Sequence, residues 1–435
     1  MSLRQVVQEL QIGGTSHEKR LAQMGLPSRA NAATAGRAAE FEIAMLETAK
    51  QLLTPSKRSN VPSFMAMDVM AAAAALEAKG ARIVRMEVGQ PAAPAPKAAL
   101  RAAQAALGGR IAYTETLGIP TLRARIARHY TETYGLALDP ARVVVTTGSS
   151  GGFILAFLTL FEPGDRVALA NPGYPPYRHI LSALGCEPVL IETSAATRWA
   201  LLAKALIAAH RSKPIQGVVI ASPANPTGTM MEADALARLI AVAEAEGIRV
   251  ISDEIYHGLD YAFAAETAAK LSERVVVINS FSKYFCMTGW RIGWMVVPDN
   301  LVRPIERLQG NLAISVPALS QVAAEAAFEG RDEMEAVKHG YEENRRILVE
   351  GLPKVGLDTF LPVDGAFYLY ADIRRFSDDS LDFAKRLLNE AGVAATPGID
   401  FDPVDGKHFL RFCYAGSAAE MHEAVQRIGN WLKTR

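Results

Sequence analysis

The chain has 435 residues, of which 50% are hydrophobic and 21% are charged, and its 46 Lys and Arg residues balance its 46 Asp and Glu residues. That length is sufficient for two domains with large cores, and the composition is typical of a globular protein. The charge balance argues against a basic surface for nucleic acid, so any site for an anion must be local.

The cysteine content and the N-terminal residues favour a protein of the reducing cytoplasm. The three cysteines are far apart and form no CxxC pair, which argues against a disulfide framework and against a structural metal. The first residues are polar and charged where a secretory signal needs an apolar core. No apolar run approaches the ~18 residues of a membrane span. We therefore expect a cytoplasmic protein with no membrane partner.

Residues 1–55 differ in pattern from the rest of the chain. They mix small, polar and charged residues, and apolar residues at helical spacing occur only near their end. We interpret them as a loosely attached N-terminal extension. From about residue 56 the pattern becomes regular and predicts a helix over 65–79 and a strand over 83–88. We expect residues 56–95 to pack with a C-terminal domain.

The segment 96–325 predicts a large α/β domain. Helical spacing predicts helices over 97–107, 121–134, 153–161 and 232–246. Short β-branched runs predict strands over 143–147, 166–170, 188–191, 217–221, 249–252, 274–278 and 292–297. Such runs alternating with helices indicate a mostly parallel sheet covered by helices on both faces. Ligands of these sheets bind at the carboxyl ends of the strands.

Polar and small residues follow several of these predicted strands at once. The loops concerned are Gly148-Ser149-Ser150, Asn171-Pro-Gly-Tyr174, Asn225-Pro-Thr-Gly228, Asp253-Glu-Ile-Tyr256 and Ser280-Phe-Ser-Lys283. Because they follow strands of one predicted sheet, we expect them to meet at one edge. Beyond them, long helices and a short series of strands and helices predict a smaller α/β domain over 326–435.

Two cationic residues in this region suit an aldehyde and a phosphate. Lys283 follows the predicted strand over 274–278 beside Ser280 and Ser282, and Arg291 precedes the next strand. A lysine so placed can be desolvated, which lowers its pKa and makes the amine nucleophilic. An arginine offers a planar fork suited to phosphate, and pyridoxal phosphate carries both groups. On spacing alone, a surface lysine and a surface arginine explain the pattern equally well.

Taken together, these loops resemble those of the class I and II pyridoxal-phosphate-dependent aminotransferases, which are related to aspartate aminotransferase. The resemblance also includes Leu410-Arg411, and it runs in order from about residue 60 to the end. It implies an α/β fold of the fold type I transferases, with a large cofactor-binding domain and a smaller α/β domain.

The resemblance assigns roles around the cofactor ring. It implies that Lys283 forms the imine with the cofactor and later moves a proton at the substrate α-carbon. Asp253 would partner the pyridine nitrogen and keep the ring protonated, although without the resemblance a helix N-cap explains it better. Asn225 and Tyr256 would donate to the phenolate oxygen, and Tyr174 would stack on the ring. For Asn225 the alternative is a plain turn, and for Tyr174 it is ordinary packing.

The resemblance also implies a phosphate site and a substrate site. The phosphate site would consist of Gly148, Ser149, Ser150, Ser280 and Arg291. Tyr113 matches a tyrosine that reaches the phosphate from the neighbouring subunit, which implies a homodimer with shared sites. Arg411 would hold the substrate α-carboxylate through a two-pronged contact, together with Asn225. Gly89 would allow the substrate to approach closely, and Cys286 is interpreted as a packed thiol.

The implied activity is transfer of the α-amino group between an L-amino acid and a 2-oxo acid by a ping-pong mechanism. One alternative is a pyridoxal-phosphate β-lyase on the same scaffold, which would need the same cofactor residues. Another is a non-enzymatic binding module that kept the fold, and an intact Lys283 argues against it. No second arginine for an acidic substrate side chain is assigned, so the donor amino acid stays open.

Overall fold

The computed structural model describes residues 53–434. The chain divides into two units, and the boundary falls between Asn60 and Val61. Of the first unit, only residues 53–60 are described. They contain one 3-10 turn, Lys57–Ser59, in which the Ser59 hydroxyl donates to the Ser56 carbonyl at 2.8 Å. Most of the predicted extension over 1–55 lies outside the described residues, so that interpretation stays a prediction.

The second unit alternates strands and helices along most of its length. The strands are β1 (Val84–Arg85), β2 (Val143–Thr146), β3 (Arg166–Asn171), β4 (Glu187–Glu192), β5 (Gly217–Ala221), β6 (Arg249–Asp253), β7 (Val276–Ser280), β8 (Gly293–Val296), β9 (Tyr368–Asp372), β10 (Val393–Ala394), β11 (Thr396–Pro397) and β12 (Phe409–Cys413). The α-helices are Met65–Glu77, Lys97–Ala106, Pro120–Tyr134, Gly148–Leu160, Pro175–Leu184, Ala203–Ser212, Ala233–Ala245, Ala268–Leu271, Asp299–Leu312, Ala318–Ala327, Arg331–Gly351, Ser380–Arg386 and Ala418–Leu432.

The large sheet has seven strands in the order β2-β8-β7-β6-β5-β3-β4. Neighbouring strands from β4 to β7 are parallel, and β8 runs antiparallel to both of its neighbours. The predicted mostly parallel α/β sheet is therefore confirmed, with β8 as the exception. Because β7 and β8 are antiparallel neighbours, the connection between them starts and ends at one edge of the sheet, and Lys283 lies in that connection.

Apolar residues on both faces explain why these strands are buried. Along β2, Val143 and Val145 belong to one hydrophobic cluster and Val144 to another. The same alternation places Val277 in the first cluster and Ile278 in the second. Successive side chains of a strand point to opposite faces, so helices must cover both faces of the sheet.

One predicted boundary was wrong in an informative way. The predicted turn over 148–152 is the first turn of the helix Gly148–Leu160. Glycine and serine are poor helix formers, so the apolar pattern indicated a later start. The helix begins next to the end of β2, so its first backbone N–H groups lie at the sheet edge that carries the polar loops.

The strands of the C-terminal part form two small sheets. Strands β11, β12 and β9 pair antiparallel in that order, and β1 pairs in parallel with β10 through Val84 and Val393. Val84 and Met86 share a hydrophobic cluster with β9 and β12 residues such as Leu369 and Phe412. The segment before the large sheet thus packs on strands that come much later in the chain.

The described residues contain neither a candidate membrane-spanning helix nor a candidate metal-binding cluster. No helix among them is long and apolar enough to cross a membrane. Within residues 53–434, no group of three or more His, Cys, Asp or Glu side chains is arranged to hold a metal ion.

Candidate active site

Lys283 lies in the connection after β7, partly buried among groups from several elements. Its Nζ donates a hydrogen bond of 2.6 Å to the carbonyl oxygen of Gly89, which follows β1. The rings of Tyr256 and Phe367 lie 5.7 and 5.9 Å from the same nitrogen. Burial lowers the pKa of Lys283 to about 8, and the positive charge of Arg411 acts in the same direction. The amine is therefore far more often neutral near pH 7 than that of an exposed lysine.

Asp253 ends β6 and is a second buried ionisable group. It is 3% exposed, and it accepts hydrogen bonds from the Tyr177 hydroxyl and from the backbone N–H of Ile255, the latter at 3.1 Å. Burial raises the pKa of Asp253 to about 6, although the bond from Tyr177 opposes that rise. The alternative role as a helix N-cap does not apply, because a turn and not a helix follows Asp253.

Arg411 lies in the middle of β12 and is only 1% exposed. One guanidinium nitrogen, Nη1, donates to Asn225 Oδ1 at 2.9 Å. The other, Nη2, donates to Thr396 Oγ1 at 3.1 Å and to the Glu87 carbonyl oxygen. The Nε atom is buried and has no hydrogen-bond partner among the described residues. All these partners are neutral, so the buried positive charge is available to an anionic ligand.

Two tyrosines form a hydroxyl pair beside Lys283. The Tyr256 and Tyr368 hydroxyl oxygens are 2.7 Å apart, and both side chains are buried. Gly89 lies against the Tyr368 hydroxyl of this pair, because a Cβ atom added at Gly89 would come within 1.6 Å of the Tyr368 hydroxyl oxygen. The structure thus shows a close contact of Gly89 with Tyr368, and the substrate approach predicted at Gly89 stays a prediction.

Arg291 and the start of the helix Gly148–Leu160 lie side by side. Gly148 has φ of +66°, and a Cβ atom there would come within 2.6 Å of Arg291 Nη2. Arg291 Nη1 donates to the Thr288 carbonyl oxygen at 2.9 Å. A guanidinium beside the free N–H groups of a helix N-terminus is a suitable environment for a phosphate.

Three predicted serines also lie at this edge of the sheet. Ser149 and Ser150 occupy the first turn of the helix Gly148–Leu160. The Ser280 Oγ lies within hydrogen-bond distance of Ser282 Oγ, at 2.8 Å, and of the Ile292 carbonyl oxygen, at 3.1 Å. A Cβ atom at Gly293 would come within 3.1 Å of the Ser149 nitrogen, which shows how closely the helix start approaches β8.

Tyr174 and Tyr113 occupy contrasting positions. Tyr174 precedes the helix Pro175–Leu184, and its ring lies edge-on to Tyr177 at 5.2 Å and to Phe64 at 5.8 Å. Burial raises the pKa of Tyr174 to about 12, so the hydroxyl stays protonated. Tyr113 is 79% exposed, and the structure does not bring it to the site of its own chain. Its contact with a neighbouring subunit stays a prediction.

Sequence reasoning missed three side chains of this site: Tyr177, Tyr368 and Thr396. Tyr177 follows Tyr174 by one helical turn, and that spacing could have suggested that both serve one site. Tyr368 and Thr396 lie within short apolar strands, where no motif distinguishes them.

Comparisons with known proteins identify the family of this chain. Residues 81–428 match the model of the family described as aminotransferase class I and II. The chain is 48% identical to the valine–pyruvate aminotransferase of Mycobacterium tuberculosis over 383 residues, which is 87% of this chain and 98% of that protein. The match is therefore almost complete along both proteins.

Solved structures show the same fold. An aminotransferase from Mycobacterium tuberculosis superposes with a TM-score of 0.85 at 47% identity, over 88% of this chain and all of that chain. Aspartate aminotransferase from Thermus thermophilus with maleate superposes with a TM-score of 0.82 at 29% identity, over 87% and 99% of the two chains. This protein is an aminotransferase of the class I and II family, with the aspartate aminotransferase type of α/β fold.

Proposed function

We propose that this aminotransferase uses pyridoxal 5′-phosphate, bound covalently through Lys283, to move an α-amino group between an L-amino acid and a 2-oxo acid. Transfer takes place in two half-reactions that share one site, as in a ping-pong mechanism. The observation that carries the proposal is the partly buried Lys283 amine, which donates to the Gly89 carbonyl at 2.6 Å and has a pKa of about 8 that responds to the charges of the buried Asp253 and Arg411. An aldehyde requires such a neutral amine.

The residues present fit the chemical groups of this cofactor. Asp253 would accept from its ring nitrogen, and Asn225 and Tyr256 would bind its phenolate oxygen. Arg291 beside Gly148, where no Cβ can be accommodated, supports a phosphate at the helix start. The other contacts that we propose for the cofactor are with Ser149, Ser150, Tyr174 and Ser280. When bound, the cofactor supplies an electron sink that makes the substrate α-hydrogen acidic.

Lys283 and Arg411 act on the substrate itself. The Lys283 amine removes the proton from the substrate α-carbon, because its lowered pKa leaves a neutral fraction that can accept one. Arg411 binds the α-carboxylate and fixes which substrate bond faces that amine. Asn225 accepts from Arg411 at 2.9 Å, so it holds the guanidinium in place before the substrate arrives. Gly89, where a side chain would not fit, completes the substrate contacts that we propose.

For the substrates, we propose a donor with an apolar side chain and pyruvate as the acceptor. The support is the 48% identical relative named valine–pyruvate aminotransferase, which matches 87% of this chain. Aspartate is the competing donor, since more distant relatives are named aspartate aminotransferases. All donors share the α-amino acid group that Arg411 and Lys283 would bind, so these two residues do not decide between them.

We also propose a homodimer in which Tyr113 reaches the phosphate site of the partner. Tyr113 is exposed, and Ile111, Leu312 and Ile314 are exposed as well. Thr114 N–H donates to the Ser315 hydroxyl at 3.4 Å, which brings the two segments together. Exposed apolar residues around a tyrosine are typical of a surface that a second copy of the chain buries in a dimer. Mixed Tyr113→Ala and Lys283→Ala subunits should regain activity after exchange, and proven exchange without recovery would contradict sharing.

A half-reaction screen tests the proposed function. Holoenzyme is mixed with single amino acids without an acceptor, and the absorbance of the bound cofactor is followed. We expect a fast spectral change with valine and a slower one with aspartate. Adding pyruvate should restore the original spectrum and yield alanine. Release of ammonia and pyruvate without any acceptor would assign a lyase reaction instead.

A further inference from the structure

Tyr368 contacts both Tyr256 and Arg411. It begins β9 and is 1% exposed. Its hydroxyl oxygen lies 2.7 Å from that of Tyr256, and its ring centroid lies 4.4 Å from the Arg411 guanidinium carbon. Through these contacts it adjoins the proposed cofactor site on one side and the proposed carboxylate site on the other.

The direction of the tyrosine–tyrosine hydrogen bond follows from what each hydroxyl can reach. Burial raises the pKa of Tyr256 and of Tyr368, so both hydroxyls keep their protons. Each can then donate one hydrogen bond. Tyr256 is the residue proposed to donate to the cofactor, which leaves its oxygen as the acceptor for Tyr368. A donor that itself accepts a hydrogen bond is polarised and becomes a stronger donor.

The ring of Tyr368 serves a different neighbour. Arg411 lies between the rings of Tyr368 and Phe401, at 4.4 and 4.6 Å from their centroids. Contact with an aromatic face is one of the few favourable environments for a guanidinium away from water. The two rings limit the Arg411 side chain to a narrow slot, and its hydrogen bonds to Asn225 and Thr396 fix its depth there.

We propose that Tyr368 is a positioning residue with two separable parts, a hydroxyl that strengthens the donor Tyr256 and a ring that holds Arg411 ready for the substrate carboxylate. The inference rests on the proposed function, because it assumes that Tyr256 faces the cofactor and Arg411 faces the substrate. It goes further because it assigns to one side chain an effect on both the proposed cofactor site and the proposed carboxylate site. Substitutions can remove the hydroxyl alone or the hydroxyl together with the ring.

Tyr368→Phe tests the hydroxyl in the holoenzyme. A hydroxyl that donates to the phenolate oxygen stabilises negative charge there, and so lowers the pH midpoint of the bound cofactor's absorbance. Weakening Tyr256 as a donor should raise that midpoint by about 0.2–0.5 unit, a fraction of one neutral hydrogen bond, because Tyr256 itself still donates. The ring is retained, so KM for the amino acid should stay within about twofold of wild type.

Tyr368→Leu tests the ring. It should produce the same rise in the midpoint and also weaken binding of an unreactive carboxylate, such as maleate, by about fivefold or more. Tyr370→Phe is the matched control, because Tyr370 lies two residues along β9, is also buried, and its hydroxyl has no partner among the described residues. Tyr370 stacks on Phe409 at 4.7 Å, so removing its hydroxyl should leave both readouts unchanged.

The outcomes separate this inference from the proposed function. A Tyr368→Phe protein with an unshifted midpoint, or a Tyr370→Phe control that shifts as much, overturns the role of the hydroxyl. Unchanged maleate binding together with an unchanged midpoint in Tyr368→Leu overturns the whole inference. If wild type yields no borohydride-reducible adduct at Lys283, the proposed function fails and the inference fails with it. An adduct in wild type with no effect of either Tyr368 variant rejects the inference alone.

Discussion

The two halves of the active site are built in opposite ways. The lysine half consists of Asn225, Asp253, Ser280 and Lys283, which lie at or just after the carboxyl ends of strands in the seven-stranded sheet. The arginine half consists of Tyr368, Thr396 and Arg411 in β9, β11 and β12, together with the carbonyl of Glu87. In the lysine half the polar groups come from the last residues of strands and from the loops that follow them, whereas in the arginine half the three side chains belong to the strands themselves.

This difference decides how each half stabilises its charge. In the lysine half, burial shifts pKa values toward the neutral forms, lowering that of Lys283 to about 8 and raising that of Asp253 to about 6. A guanidinium keeps its charge in proteins. Arg411 therefore remains charged, with neutral oxygen atoms and aromatic rings as its partners. In the proposed function, the lysine half exchanges protons and the arginine half holds a positive charge for the substrate carboxylate.

The largest expected effect comes from the lysine half. Lys283→Ala removes both the proposed nucleophile and the proposed base, so kcat should fall by at least about 10³-fold. The borohydride-reducible adduct, measured by mass spectrometry, should disappear as well. Lys283→Arg keeps a positive charge near Gly89 but cannot form the covalent link, and it should be equally inactive. Full activity in either variant would show that another amine serves as the anchor.

Asp253→Asn should lower activity while it raises the stability of the apoenzyme relative to wild type as the pH rises. Loss of the carboxylate charge should lower kcat/KM by on the order of 10²-fold, because preorganised charge in a dry site contributes about that much. The pKa of Asp253 is raised from 3.8 to about 6 in the fold. Its contribution to stability is therefore full below about pH 4 and is lost as the pH rises through about 6. An asparagine side chain does not ionise, so the variant lacks this loss of stability at higher pH.

The apoenzyme shows this effect most directly. Between pH 5 and pH 7.5, the variant should gain ~1 kcal/mol of unfolding free energy relative to wild type. Urea unfolding of the two apoenzymes at both pH values measures that gain. If the difference in unfolding free energy between the two apoenzymes is the same at both pH values, Asp253 is ionised at little cost. That result would contradict the contrast between the two halves.

How much of each half could be predicted from sequence follows from the same contrast. Strands of the large sheet are short β-branched runs followed by Gly, Asn, Asp or Ser, so the pattern indicated the large sheet and the loops of the lysine half together. Arg411 was assigned only through the family resemblance, and Tyr368 and Thr396 were missed. In the sequence, nothing distinguishes a polar site residue inside a short, buried antiparallel strand from other strand residues. Only the strand register, which pairs Arg411 with Tyr370 and with Thr396, shows which residues lie together.

Arg411→Lys should have a smaller effect that is uniform across substrates. Lysine cannot reproduce the fork that binds Asn225 and Thr396 at once. We expect kcat/KM to fall by at least about tenfold, equivalent to ~1.4 kcal/mol, for every amino acid donor and also for the 2-oxo acid. Steady-state kinetics with valine, aspartate and pyruvate measures it.

A second arginine provides the control for Arg411→Lys. Arg345 donates to the Val363 carbonyl oxygen at 2.6 Å and lies 5.9 Å from the Tyr261 ring, so it resembles Arg411 in its contacts while taking no part in the proposed chemistry. Arg345→Lys should leave kcat/KM close to wild type. An Arg411→Lys protein impaired only with aspartate would place Arg411 at the substrate side chain and not at the α-carboxylate.

The smallest expected effect is that of Tyr177→Phe, which tests how Asp253 keeps its charge. The Tyr177 hydroxyl donates to Asp253 and thereby lowers the carboxyl pKa, so its removal should raise that pKa further above about 6. Phenylalanine can keep the ring contacts with Phe153 and Tyr174, at 4.9 and 5.2 Å. Cofactor affinity should fall about threefold at pH 8 and more at pH 6.5, because a protonated Asp253 no longer attracts the ring nitrogen. Equilibrium binding of pyridoxal phosphate to the apoenzyme at both pH values measures these changes in affinity.

The control is Tyr177→Phe in an Asp253→Asn background, where it should add no pH dependence to cofactor binding. If it does, Tyr177 acts on the cofactor by another route, and the charge of Asp253 depends on the backbone N–H of Ile255 instead.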